Sequence, residues 1–254
     1  MGYKAIKSEK KSSLGGLFYI ISNRIKTLFY PPTCPLCEEV LSGGKTRICD
    51  RCRSKITYLT EPTCLRCGKE IDDREKEYCE DCKTKPKSYV KGFPAMRYRE
   101  PVKRGIVNFK YHNKKSYAES FAYEIIKTHG RDIKKISPEV LIPVPVHKNK
   151  LEQRGYNQAE VLAGSLGRYL DIPVDASILK RTVNTTPQKL LDNEERQKNL
   201  ERAFISDQKQ VQYKKVMLVD DIYTTGSTIE ACTKVLKACG VKEVYYTSIC
   251  IGKD

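Results

Sequence analysis

From Leu14 to Phe29 the apolar residues Leu14, Leu17, Phe18, Ile21, Ile25, Leu28 and Phe29 recur at three- and four-residue steps. That is the period of a single helical stripe, and Pro31 and Pro32 stop it. The chain is then polar and punctuated by cysteines until a lysine-rich stretch at Lys83–Lys91. Beyond it, Phe93–Arg99 reads as a strand, placed at a sheet edge because Pro94 cannot donate to a ladder. Val102, Ile106, Val107 and Phe109–Tyr111 predict a short helix; Tyr117, Phe121, Ile125 and Ile126 predict a second, ending near Gly130. Val140–Val146 reads as a buried strand that Pro143 and Pro145 end early, with a shaped loop at His147–Lys150. Gln158–Leu170 is a third helix, carrying Val161, Leu162, Leu166 and Tyr169.

After Ile178 and Leu179 the residues are polar and without a clear period until Ala203–Ile205. So long a hydrophilic segment inside an α/β domain is expected to serve as a flap over a site. Val216–Val219 is an apolar run with no polar side, the mark of a parallel strand covered on both faces. Asp220 and Asp221 stand where it ends, and a Thr/Gly/Ser loop follows. From Ser227 a helix runs through Ile229, Cys232, Val235 and Leu236 to Ala238, with Gly240 as its C′ residue; Val244–Ile251 is a last strand. Strands alternating with helices predict an α/β fold, a mostly parallel sheet flanked by helices with right-handed crossovers. Ligands of such sheets bind at the carboxyl ends of the strands, where the two acids lie. Three parts are expected: a basic tail and amphipathic helix over residues 1–30, a cysteine module over 31–88, and the α/β domain over 92–254.

The chain has 254 residues, of which 39% are hydrophobic and eleven are cysteine. It contains no run of eighteen apolar residues, which excludes a membrane span. Gly15, Gly16, Arg24 and Lys26 break the pattern a signal peptide needs, so a cytoplasmic setting is expected. There, cysteines in number point to metal rather than disulfides. Four Cys-x-x-Cys pairs (Cys34/Cys37, Cys49/Cys52, Cys64/Cys67, Cys79/Cys82) begin fifteen residues apart, and Pro-Thr-Cys at Cys34 returns at Cys64. The unit is therefore a thirty-residue repeat, present twice. Two residues between thiolates suit a knuckle aimed at one ion, and Gly68 fits such a turn. Four sulfurs per repeat fill a tetrahedral zinc, so two structural zinc ions are expected. The duplication favours consecutive grouping of the pairs; a cross-braced arrangement would interleave them.

A net charge of +16 attracts phosphate-rich partners within a Debye length of about 8 Å. The excess lies in the first thirty residues and from Arg97 onward, not among the cysteines. Charge alone does not separate a polyanion binder from a merely soluble basic surface. The sixteen tyrosines and six phenylalanines scatter through core-like patterns and form no stacking platform. Cys232, Cys239 and Cys250 lack metal spacing and read as core cysteines, while His112 and His129 read as exposed.

The strand–acids–loop–helix stretch has the chemistry of a ribose-phosphate clamp. A helix N-terminus presents free amides and partial positive charge to a phosphate. Gly226 lets the backbone approach closely, and Thr224, Thr225, Ser227 and Thr228 add hydroxyl donors. Carboxylates only accept, which suits a sugar diol. V-M-L-V-D-D-I-Y-T-T-G-S-T (Val216–Thr228) resembles the signature that binds phosphoribosyl pyrophosphate (PRPP) in type I phosphoribosyltransferases. The resemblance implies catalytic and diol-holding roles for Asp220 and Asp221, and places the 5′-phosphate on Thr224, Thr225, Gly226, Ser227 and Thr228.

Nearly the whole chain is similar to the ComF family, competence-associated phosphoribosyltransferase-like proteins with an N-terminal zinc ribbon. The likeness rests on the cysteine knuckles after an apolar helix, F-K-Y at Phe109–Tyr111, P-V-P-V-H at Pro143–His147 and R-G-Y-N-Q-A at Arg154–Ala159. It extends through the spaced R-T…Q…L…R…N…F pattern of Arg181–Phe204 to the clamp. It implies a pyrophosphate loop at Val146, His147 and Lys148, with Arg154 and the flap residues Arg181 and Arg196 pairing with pyrophosphate or an incoming substrate. A structural role for His147 ranks ahead of acid–base work. Magnesium would bridge diol and pyrophosphate. Two functions follow from the likeness. One is a PRPP-dependent transferase, or PRPP-binding descendant, that handles incoming single-stranded DNA beside competence DNA-translocation proteins. The other is a non-enzymatic nucleic-acid-binding or PRPP-sensing regulator. The acceptor is not legible.

Overall fold

Four parallel strands form the central sheet of the computed structural model, which describes residues 31–41, 47–182 and 203–252. The expected helix at 14–29, Arg196 and most of the expected flap lie outside the described residues. The strands are β1 (Gly92–Arg97), β2 (Val140–Pro143), β5 (Lys215–Tyr223) and β6 (Glu243–Ile251), in spatial order β1–β6–β5–β2. The two longest strands are central, β5 pairing with β6 from Lys215↔Glu243 to Tyr223↔Ile251. Pro94 sits on the outermost strand, as its missing N–H requires. That edge is partly covered, since Arg97 N donates to Thr57 O at 2.9 Å and Tyr58 bridges to Met96. β2 ends at Pro143, as its prolines predict.

Side chains on β5 alternate between two cores. Met217 and Val219 face one core with Phe93, Ile106, Phe109, Phe121, Ile125, Leu162 and Leu166. These come largely from α3 (Val102–Tyr111), α4 (Tyr117–Ile136) and α6 (Gln158–Leu170). Val216 and Leu218 face the other core with Ile229 and Leu236 of α7 (Ser227–Ala238) and Val244 and Tyr246 of β6. A two-residue antiparallel ladder, β3 (Lys180–Arg181) with β4 (Phe204–Ile205), flanks the polar segment. The two cysteine repeats divide in the same way. Cys34 and Cys52 belong to the first core, and Cys64, Cys67, Cys79 and Cys82 to the second. α1 (Asp50–Arg53) and α2 (Glu80–Thr84) are the short helices of these repeats.

Four local expectations change. α4 runs past Gly130 to Ile136, because Ile133 continues the stripe with no exposed surface, and a left-handed Ser137 ends it. The stretch after His147 is a helix, α5 (Lys148–Arg154), whose first turn His147 caps by accepting from Asn149 N at 3.2 Å. β5 continues two residues beyond the acids to Tyr223. His129 is half-buried rather than exposed, its Nε2 lying 2.8 Å from Pro94 O and its ring edge-on to Phe93. Burial lowers its pKa. Cys232 and Cys250 are core residues, and Cys239 is half-buried.

Candidate ligand cleft and metal centres

A cleft of about 240 Å³ opens where β5 and β2 end. Asp220, Asp221 and Ile222 of β5 line it, together with Val144, Pro145 and Val146 after the neighbouring β2. Lys110 from the end of α3, Lys150 and Arg154 from α5, and Arg181 from β3 bring four cationic side chains to it. Asn157, Gln158 and Ala159 at the start of α6 also line it, as do Thr224 and Thr228. Asn157 fixes that junction: its Oδ1 caps α6 by accepting from Ala159 N, and its Nδ2 donates to Val144 O, both at 3.1 Å. Arg154 is held over the Tyr111 ring at 4.9 Å and donates to Gln158 Oε1 at 2.9 Å.

The two acids are in unlike surroundings. Asp221 is buried, with its Oδ2 2.8 Å from Lys110 Nζ. Asp220 accepts from the Asp221 amide at 2.8 Å. Burial and the neighbouring Asp221 charge push the Asp220 carboxyl up to about 8. For Lys110, burial favours the neutral amine, but Asp221 outweighs it and raises the pKa, so the ammonium is kept. Lys150 is lowered by burial and by the nearby Arg181 and Arg154 charges. A cleft this rich in cations, with two carboxyls at one side, suits a polyanion that also offers hydroxyls.

Thr224–Thr228 forms the turn into α7. Thr225 Oγ1 lies 2.9 Å from Ser227 Oγ and accepts from Ser227 N at 3.4 Å, while the N-cap residue, Gly226, brings no capping side chain to the helix start. Gly226 is needed twice over: its φ is +75°, and a methyl group there would run into the Tyr223 ring.

Of the residues singled out from sequence, the fold gathers Asp220, Asp221, Thr224, Thr228, Val146, Arg154 and Arg181 around the cleft, while Thr225, Gly226 and Ser227 make the adjoining turn. His147 and Lys148 do not line it. His147 caps α5, and the exposed Lys148 lies 3.9 Å from Glu152. Lys110, Lys150 and Asn157 line it without having been singled out. Each lies in or next to a run already noted: F-K-Y, the stretch after P-V-P-V-H, and R-G-Y-N-Q-A.

The cysteine repeat holds bond for bond. Cys34 N donates to Glu39 O, and Cys64 N to Lys69 O; Glu38 N donates to Cys34 O, and Gly68 N to Cys64 O. Glu38 and Gly68 both take the left-handed conformation, at φ 64° and 71°. Sulfurs gather in consecutive sets, Cys34, Cys37, Cys49 and Cys52 in one and Cys64, Cys67, Cys79 and Cys82 in the other, each within 4.8 Å. Cys37 and Cys49 Sγ, and likewise Cys67 and Cys79 Sγ, are 3.6 Å apart. A tetrahedral Zn–S length of about 2.3 Å requires sulfurs about 3.8 Å apart, so both sets fit zinc with no position left for water. No helix among the described residues is long and apolar enough to cross a membrane.

Residues 25–83 match the double zinc ribbon domain family, and residues 156–251 match the phosphoribosyl transferase domain family. Competence protein F of Haemophilus influenzae is 33% identical over 222 residues, 85% of this chain and 95% of that protein. DNA utilization protein YhgH of Escherichia coli K12 is 27% identical over 88% of this chain and 98% of its own length. Competence protein ComFC of Streptococcus pneumoniae is 31% identical over 45% of this chain and 49% of its own. Among solved structures, a purine phosphoribosyltransferase from Pyrococcus horikoshii is 19% identical, with a TM-score of 0.29 over 53% of this chain and 80% of that one. With its two cysteine centres on a phosphoribosyltransferase-like sheet, the chain belongs to the ComF family, that of Competence protein F.

Proposed function

We propose that the cleft binds PRPP with magnesium and that the protein acts on incoming single-stranded DNA in natural competence. The observation that carries the reading is the meeting of two adjacent carboxyls with a glycine-led helix start at a cationic cleft. Asp220 and Asp221 accept from the ribose 2′- and 3′-hydroxyls, and the Thr224–Thr228 turn donates to the 5′-phosphate. Val146, Lys150 and Arg154 face the pyrophosphate side, and Arg181 stands where an incoming group enters. Magnesium, if bound with PRPP, would supply neutralisation of phosphate charge. In transfer, a nucleophile bonds to the anomeric carbon while its bond to pyrophosphate breaks, and pyrophosphate leaves with the electron pair. The chain's own part is to orient the ribose and stabilise that charge. The eight knuckle cysteines hold two structural zinc ions. The chain divides as 1–30, 31–88 and 92–254, and it works in the cytoplasm beside DNA-translocation proteins. The names of the relatives, competence and DNA utilization proteins, support the DNA role.

Calorimetry with PRPP and magnesium tests the clamp: binding is expected in the wild type and lost in the Asp220→Asn, Asp221→Asn double variant. Undiminished binding in that variant removes the assignment. The +16 charge also supports a second reading, a non-catalytic nucleic-acid-binding protein that only senses PRPP. Pyrophosphate release stimulated by single-stranded DNA separates the two. Either reading requires DNA affinity that falls steeply with salt.

A further inference from the structure

The second cysteine centre is joined to the phosphate-side turn from beneath. Tyr246 of β6 donates to the carbonyl of Cys67 at 2.7 Å. Tyr223, the last residue of β5, stacks on Tyr246 with centroids 4.9 Å apart and 10° between the rings. Its hydroxyl shares a 2.8 Å hydrogen bond with that of Tyr89, whose ring meets Tyr246 edge-on. All three tyrosines are buried. The Tyr223 ring is also the surface against which Gly226 rests. A second tie runs beside the first: Ser88 donates through N and Oγ to the two Glu230 carboxylate oxygens, at 2.8 and 2.6 Å. Lys87 Nζ reaches Thr225 O at 3.4 Å. The first cysteine centre is tied elsewhere, through Leu36 to α3 and through Arg53 to Glu124 of α4.

We propose that the second cysteine centre, acting through Tyr246, Tyr223 and Tyr89, is a positioning brace for the Thr224–Thr228 turn, so that zinc at that centre and a phosphate group on the turn favour each other. The identity of the phosphate ligand rests on the PRPP reading above; the brace itself does not. The physical case is that the turn is short and hinged at a glycine, and its own side-chain hydrogen bonds are the local ones between Thr225 and Ser227, so its placement against the sheet falls to the residues packed beneath it. A dry aromatic stack is stiff, and its far end is anchored to a backbone carbonyl that the zinc thiolates hold in place. Two sites that order the same element are coupled, and the coupling is reciprocal.

Hydrogen exchange on the full, zinc-loaded chain reads the brace without any ligand. Tyr246→Phe keeps the ring stack and removes the hydroxyl bond to Cys67. Amides of residues 224–230 should then exchange about fivefold faster, the factor one ordinary hydrogen bond contributes, while those of α6 stay unchanged. Tyr58→Phe, which removes a hydroxyl bond to Glu124 near the other centre, should leave 224–230 as they were. No acceleration at 224–230 in Tyr246→Phe, or an equal acceleration throughout the chain, overturns the proposal. A second measurement follows zinc transfer to the chromogenic chelator pyridylazoresorcinol. Saturating PRPP should slow release of one zinc ion and not the other. Release of both slowed alike, or neither, with PRPP bound by calorimetry, also overturns it. If PRPP fails to bind the wild type, the functional reading falls, and the exchange comparison decides the brace alone.

Discussion

Lys110 Nζ lies 2.8 Å from Asp221 Oδ2, joining the end of α3 to the second acid of the pair on β5. The side chain is mostly buried, and the pairing keeps the ammonium charged despite that burial. One cation thus meets the acid at the cleft. Lys110→Met removes it, leaving the two neighbouring acids without their buried cation. We expect PRPP affinity to fall at least about tenfold, the lower end for a charge-assisted hydrogen bond, with helix content by circular dichroism unchanged. Equal affinity by calorimetry would restrict Lys110 to balancing Asp221.

Asp220 gives a pH signature. Its folded pKa is raised to about 8, against about 3.9 for a free aspartate. Between those values the folded chain keeps a proton that the unfolded chain has released, so folding takes one up. Stability from this group is complete below the ordinary carboxylate pKa and is lost as pH rises through about 8. Asp220→Asn has no such proton to lose. Thermal melts should show the variant gaining on the wild type from about pH 5 to about pH 8; parallel curves would refute the shift.

The knuckle turns differ in what they tolerate. At Gly68 a methyl group would sit 2.7 Å from Pro94 Cδ and 2.9 Å from Gly92 O, at a φ of +71°. Gly68→Ala should cost about 1–3 kcal/mol and speed zinc release. Glu38 already carries a side chain at φ 64°, and Glu38→Gly should stay within about 0.5 kcal/mol of the wild type. Denaturant unfolding with zinc present checks both.

Glu124 is fully buried on α4, accepting from Arg53 Nη1 at 3.0 Å and from Tyr58 Oη at 2.6 Å. Arg53→Met leaves that carboxylate without its cation. The expected loss is about 3 kcal/mol, characteristic of breaking one partner of a buried pair. The double variant Arg53→Met, Glu124→Leu should recover most of it. Chemical denaturation of the two variants decides the point.

What could be read from the chain beforehand was whatever is local. The cysteine spacing carried the zinc centres, because a knuckle is built from neighbours. The run from Val216 to Thr228 carried the strand, acids and turn for the same reason. Pro94 marked the edge strand and Pro143 the end of β2, since a missing N–H acts at its own position. Lys110 was not legible as a site residue: 111 positions separate it from Asp221, and only the packing of α3 closes that distance. Tyr89, Tyr223 and Tyr246 looked like ordinary core for the same reason. His147 and Lys148 were placed by analogy in a loop, and the capping geometry of His147 instead starts a helix that turns Lys148 to solvent. His129 escaped because its partner, the carbonyl of Pro94, belongs to another element.

The two knuckles copy each other in backbone and part company at their tips. Position 36 is a leucine plugged into the face of α3 beside Gly105, whereas its counterpart thirty residues on is Arg66, which donates to the carbonyl of Tyr89. A chain given the first half twice, or the second half twice, would still have eight thiols in the right places. It would nevertheless bring a guanidinium to a greasy socket, or a leucine to an orphaned carbonyl. The halves have become left and right hands, and neither can stand in for the other.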